Sequence, residues 1–109
     1  MAYIKISVLP EKERVKGYFS RVIHTDHMTV AYWTVKAGSP MPEHSHPSEQ
    51  VTTVIEGTFE MIAGGERRVL DPGIAAVIPS GVPHSGISIT DCRIIDVFSP
   101  PREDMKSSG

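Results

Sequence analysis

The sequence predicts an all-β fold in which two facing sheets close into a small jelly-roll barrel. Short runs rich in β-branched and aromatic residues recur along the chain with no helical periodicity, and glycine or proline punctuation separates them. Taken in order, the runs are YFSRVI (18–23), MTVAYWTV (28–35), QVTTVI (50–55), TFEMIA (58–63), RRVL (67–70), AAVI (75–78), HSGISI (84–89) and CRIIDVF (92–98). TD at 25–26 and AGSP at 37–40 break the first three apart. EG at 56–57 and GG at 64–65 are short enough to predict consecutive antiparallel hairpins. DPG at 71–73 and PSG at 79–81 supply the later turns, glycine by allowing positive φ and proline by presetting φ. Eight strands in so short a chain bury nothing as one flat sheet, so they must face one another across a core.

At 109 residues the chain is expected to form a single domain over 1–109. Its 39% hydrophobic and 22% charged content is that of an ordinary globular protein. A net charge of −2 with scattered cations gives no reason to expect a nucleic-acid or membrane partner. No run of about 18 apolar residues could span a bilayer, and the first residues lack a secretory pattern. Cys92 is the single cysteine, read as a half-buried strand thiol, and its lack of a pairing partner fits a cytoplasmic location. The segment YIKISVL (3–9) alternates apolar residues and could supply an extra strand within an N-terminal arm (1–17). Residues 103–109 are expected to be a polar tail, frayed at its end.

Two of the five histidines lie in GSPMPEHSHPSEQ (38–50). In extended chain, residues i and i+2 share a face, so His44 and His46 are expected to project side by side. Pro47 should bend the chain before it re-enters extended structure at Gln50, a further possible ligand. His84, just after the rigid IPSGVP, is a fourth candidate. Glu49 is a rival to Gln50, but alternation places it on the opposite face. His24 and His27 flank a turn and are read as surface residues.

The spacing is more specific than a histidine pair. Residues 38–57 read G-x5-H-x-H-x3-Q-x6-G and residues 73–88 read G-x5-P-x-G-x2-H-x3-S, with 15 residues between the two. These resemble the two signature motifs of the cupin superfamily. The resemblance implies a cupin-type double-stranded β-helix holding one divalent transition metal (nickel, zinc, iron or manganese) through His44, His46, Gln50 and His84. The chain departs from the usual pattern at Gln50, where glutamate is common, and at Ser88, where asparagine is. Three neutral imidazoles and a neutral amide would leave the metal's full charge available to an anionic ligand.

The ending IDVFSPPRED (95–104) resembles the closing segment I-D-x-F-S-P-x-R-E-D of small cupins of the KdgF family. Members convert 4,5-unsaturated uronate monosaccharides from pectin and alginate breakdown into linear keto sugars. The resemblance implies proton transfer by Asp96, a sugar pocket shaped by Phe98, and Arg102 holding the substrate carboxylate. It further implies a small anionic sugar as substrate and a homodimer, with the N-terminal arm (1–17) at the dimer interface. Other readings are a different cupin enzyme, such as a metal-dependent dioxygenase or sugar isomerase, and a non-catalytic ligand-binding cupin.

Overall fold

A computed structural model describes residues 1–106 of the chain. Its ten strands are β1 (Lys12–Val15), β2 (Tyr18–His24), β3 (Thr29–Val35), β4 (Pro40–His44), β5 (Glu49–Glu56), β6 (Phe59–Ala63), β7 (Glu66–Leu70), β8 (Ala75–Ile78), β9 (His84–Ser88) and β10 (Cys92–Ser99). They form an antiparallel six-stranded sheet, β1-β2-β3-β10-β5-β8, facing a four-stranded sheet, β4-β9-β6-β7. This is the expected jelly-roll barrel, and each of the eight predicted strands is present to within one residue at either end.

Two strands carry no sequence signal. β4 is PMPEH, and its prolines are tolerated because β4 is the edge of its sheet, where a missing N–H costs no ladder bond. β1, KERV, is a short charged edge strand of the other sheet. The apolar segment before it forms no strand. It holds a single 3-10 turn, Ile6–Val8, with no buried residue.

The two expected hairpins part company. Gly64 and Gly65 (φ +56° and +80°) join the paired residues Ala63 and Glu66 in a two-residue turn of the kind that matches strand twist. The EG turn instead carries the chain from β5 in one sheet to β6 in the other. Gly57 there has φ +87°, and a Cβ would lie 2.1 Å from the Asp91 carbonyl oxygen, so no other residue fits.

Alternation along the six-stranded sheet fills the core. Ala31, Trp33 and Val35 point inward from β3, and Cys92, Ile94, Asp96 and Phe98 from β10. Tyr18 meets Trp33 and Phe59 edge to face, with ring centroids 6.2 and 6.5 Å apart. Cys92 is fully rather than half buried, and burial pushes its thiol pKa up, which leaves it a packing residue.

The C-terminal segment also departs from expectation. Glu103–Met105 form a 3-10 turn that buries Met105 instead of leaving a polar tail in solvent. The rest of the predicted tail, 107–109, lies outside the described residues. This docking half-buries His24, which was expected at the surface: its Nδ1 lies 2.8 Å from Thr29 Oγ1 and its Nε2 3.4 Å from the Met105 carbonyl. His27 is exposed as expected.

Candidate metal centre

Antiparallel pairing of β4 with β9 sets His44 directly opposite His84. His46 does not share a strand with His44 as expected, because β4 ends at His44. His46 reaches the same place from the connector into β5, which a hydrogen bond from Gly81 N–H to the His46 carbonyl pins at 2.9 Å. Ser48, buried in that connector, donates to the Pro100 carbonyl at 2.6 Å and ties it to the end of β10. One ring nitrogen from each of His44, His46 and His84 lies within 4.8 Å of those of the other two. Bonds of about 2.1 Å to one ion need separations of roughly 3–3.5 Å, so small ring rotations would bring all three in.

Local hydrogen bonds fix which nitrogen each ring offers. The Nδ1 atoms of His44, His46 and His84 sit 2.8, 2.8 and 2.9 Å from the carbonyls of Pro42, Ser48 and Val82. A carbonyl only accepts, so Nδ1 carries the proton and Nε2 keeps its lone pair in every case. Gln50 donates its amide N–H to Thr52 Oγ1 at 2.8 Å and turns Oε1 toward His46 Nε2 at 3.0 Å. Two lone pairs then face each other and repel unless a cation touches both. His84 Nε2 is buried with no partner among the described residues. Burial is the main cause lowering the pKa of His46 and His84, which keeps both rings neutral, the form that binds metal. The donor set therefore fits a divalent metal.

Beside the histidines a cavity of about 450 Å³ opens between the sheets, lined among others by His44, His84, Gln50, Asp96, Phe98 and Arg102. Cross-strand register supplies its floor: on β10, Phe98 pairs with Gln50 and Asp96 with Thr52 of β5. Asp96 is 8% exposed, and its Oδ1 has no hydrogen-bond partner among the described residues. Burial raises its pKa to about 6, while the nearby donors of Thr52, Trp33 and Gln50 and the charge of Arg102 restrain the rise. The Phe98 ring stands edge-on to His46 at 5.5 Å and carries the Arg102 guanidinium over its face at 4.8 Å. Arg102 lines the cavity as expected, but its fork is engaged: Nε and Nη2 donate to the two Asp104 carboxylate oxygens at 2.9 and 2.7 Å.

Trp33, Thr52 and Arg14 are among the lining residues that were not singled out from the sequence. Thr52 follows Gln50 by two, so strand alternation alone places it on the inner face. Trp33 is the only tryptophan, and its buried Nε1 makes no hydrogen bond among the described residues. Arg14 stands on β1, the strand that sequence patterning does not reveal.

The cupin-domain family profile matches residues 31–98, which span β3 to β10 and every histidine of the cluster. The chain belongs to the cupin family. Among cupins it resembles the pectin degradation protein KdgF of Dickeya dadantii, with 31% identity over 72% of this chain and 73% of that protein. It also resembles the solved structure of KdgF from a Halomonas species: the TM-score is 0.89 at 28% identity, over 96% of this chain and 98% of that one. An RmlC-like cupin from Shewanella frigidimarina shares the fold, with a TM-score of 0.90 at 24% identity over 96% of both chains. In this cupin the match begins at β3, so β1, β2 and Arg14 lie outside the part that the family profile describes.

Proposed function

We propose that the protein catalyses the metal-dependent ring opening of 4,5-unsaturated uronate monosaccharides to linear keto sugars, in pectin or alginate breakdown. The observation that carries this reading is Asp96: a buried carboxyl with an unpartnered oxygen shares one cavity with an oriented set of imidazole and amide donors. The similarity to KdgF, a pectin degradation protein, supports the substrate class.

Held by His44, His46, Gln50 and His84, a divalent transition metal (nickel, zinc, iron or manganese) would supply a Lewis acid toward substrate oxygens. The chain's own residues handle the proton. The substrate is a cyclic hemiacetal whose ring oxygen belongs to an enol ether. Asp96 takes the proton of the anomeric hydroxyl, the bond from the anomeric carbon to the ring oxygen breaks, and the anomeric carbon becomes an aldehyde. The released enolate gains a proton at carbon and becomes the ketone, so the reaction is an isomerisation with no external reductant or oxidant. Burial raises this carboxyl above its ordinary value, to about 6 before any metal binds, which brings it closer to a group that can both accept and return a proton near neutrality. Phe98 forms an apolar wall for the sugar, and Arg102, with Asp104, a polar one.

The neutral Gln50 favours this reading over an iron dioxygenase, whose site is characteristically two histidines and one carboxylate. Asp96→Asn is the test. It should retain the bound metal, measured by elemental analysis, and lose about two orders of magnitude or more in turnover of an unsaturated uronate. Full activity in Asp96→Asn would remove Asp96 from the chemistry.

A further inference from the structure

Arg14 differs from Arg102 in how its charge is met. Arg102 is already paired two-handedly with Asp104, so an incoming carboxylate must compete with a carboxylate in place. Arg14 is half-buried and lines the same cavity from β1, together with Lys12. Its Nε donates to Ser20 Oγ at 2.9 Å, and Ser20 is itself 1% exposed, so the guanidinium is anchored from within the sheet. Nη2 reaches the Met105 carbonyl at 3.5 Å, a weak contact from the docked C-terminal turn. Among the described residues no carboxylate lies within ion-pair distance of Arg14. Among the described residues Nη1 and one Nη2 proton have no hydrogen-bond partner, and Arg14 lines the cavity. Asp104 attracts Arg14 only across space, because its carboxylate is paired with Arg102, and burial outweighs that attraction. An anionic ligand in the cavity would relieve the remaining cost of the half-buried cation.

We propose that Arg14 is the specificity-determining residue of the cavity, binding the carboxylate of a sugar acid end-on through Nη1 and Nη2. This rests on the uronate reading above and deepens it. Arg102, held by Asp104 over Phe98, then acts as a wall rather than as the anchor. A guanidinium fixed at Nε by Ser20 presents its two Nη groups as a ready fork, the geometry that planar carboxylates accept and neutral sugars do not.

The probes are galacturonate, which has the carboxylate but no unsaturation, and galactose, its neutral counterpart. Binding to the metal-loaded protein is read from the fluorescence of Trp33, the single tryptophan and a cavity residue. Arg14→Gln should weaken galacturonate binding by roughly tenfold to a hundredfold and leave galactose unchanged. Arg14→Lys should recover part of the preference through charge alone, and Arg102→Gln should cost less than Arg14→Gln. With an unsaturated uronate, Arg14→Gln should raise KM while kcat stays within about twofold, a split that general loss of structure does not produce.

The proposal is overturned if Arg14→Gln and Arg14→Lys keep the wild-type preference for galacturonate, if kcat falls while KM holds, or if the wild type shows no preference. Arg14-dependent galacturonate binding without uronate turnover would sink the ring-opening reading and keep the anchor. Turnover that ignores Arg14 would do the reverse.

Discussion

At the scale of single residues, the site is built from short backbone contacts. Each histidine gives Nδ1–H to a carbonyl two positions away in sequence, which spends one nitrogen on orientation and leaves the other for a ligand. His46→Ala and Gln50→Ala should each weaken metal binding by at least about tenfold, measured by competition with a chelating dye. Thr52→Val should loosen the Gln50 amide, because its hydroxyl accepts that amide's N–H at 2.8 Å. Asp96 brings a pH dependence whose sign follows from burial. Its folded pKa, about 6, exceeds the ordinary 3.8, so the folded protein binds the proton more tightly than the unfolded chain does. In metal-free protein, the favourable contribution of protonated Asp96 is complete below pH 3.8 and is lost as pH rises to about 6. Asp96→Asn should remove that loss, gaining on the order of 3 kcal/mol over wild type at neutral pH relative to pH 4, as read from thermal unfolding. Turnover should rise along a single limb as Asp96 becomes a base, with an apparent pKa below the metal-free value of about 6, because a bound cation favours the carboxylate.

At the scale of elements, two segments test the packing. Met105 is 7% exposed and docks the C-terminal turn, so Met105→Ala should cost about 2–3 kcal/mol in denaturant unfolding. Gly57→Ala forces a Cβ to 2.1 Å from the Asp91 carbonyl at φ +87° and should cost at least about 1–3 kcal/mol. The legibility of the elements followed their patterning. QVTTVI and CRIIDVF alternate so strictly that the inner faces bearing Gln50, Thr52, Asp96 and Phe98 could be assigned from period 2 alone. PMPEH and KERV show no such pattern: edge position tolerates prolines and charges, and the sequence does not say which strand is an edge. Turn chemistry has a similar blind spot. Glycine at 57 marks a bend with positive φ, but the bend leads to the opposite sheet, which local geometry does not encode. The same blindness hid Arg14, whose strand was unseen, and the Arg102–Asp104 pairing, since two residues of one short segment can face each other or the cavity equally well. Met105 was hidden by its polar neighbours.

At the scale of the whole molecule, the barrel brings together residues from both sheets and from both ends of the chain. Arg14 comes from the first strand, the histidines from β4, its connector and β9, and Asp96 and Phe98 from the last strand. No helix among the described residues is long and apolar enough to cross a membrane. Tyr3, Ile4 and Val8 in the N-terminal arm are 90, 47 and 71% exposed, apolar surface that the homodimer implied by the resemblance would cover; light scattering should then give twice the chain mass. The central claim concerns chemistry, and one measurement meets it directly. Metal-loaded protein is mixed with 4,5-unsaturated galacturonate in the absence of oxygen, and loss of the conjugated absorbance is followed against the spontaneous reaction. The account predicts a clear acceleration that disappears when the metal is removed and in Asp96→Asn. A decay no faster than the spontaneous one, with metal bound and the protein folded, would contradict it.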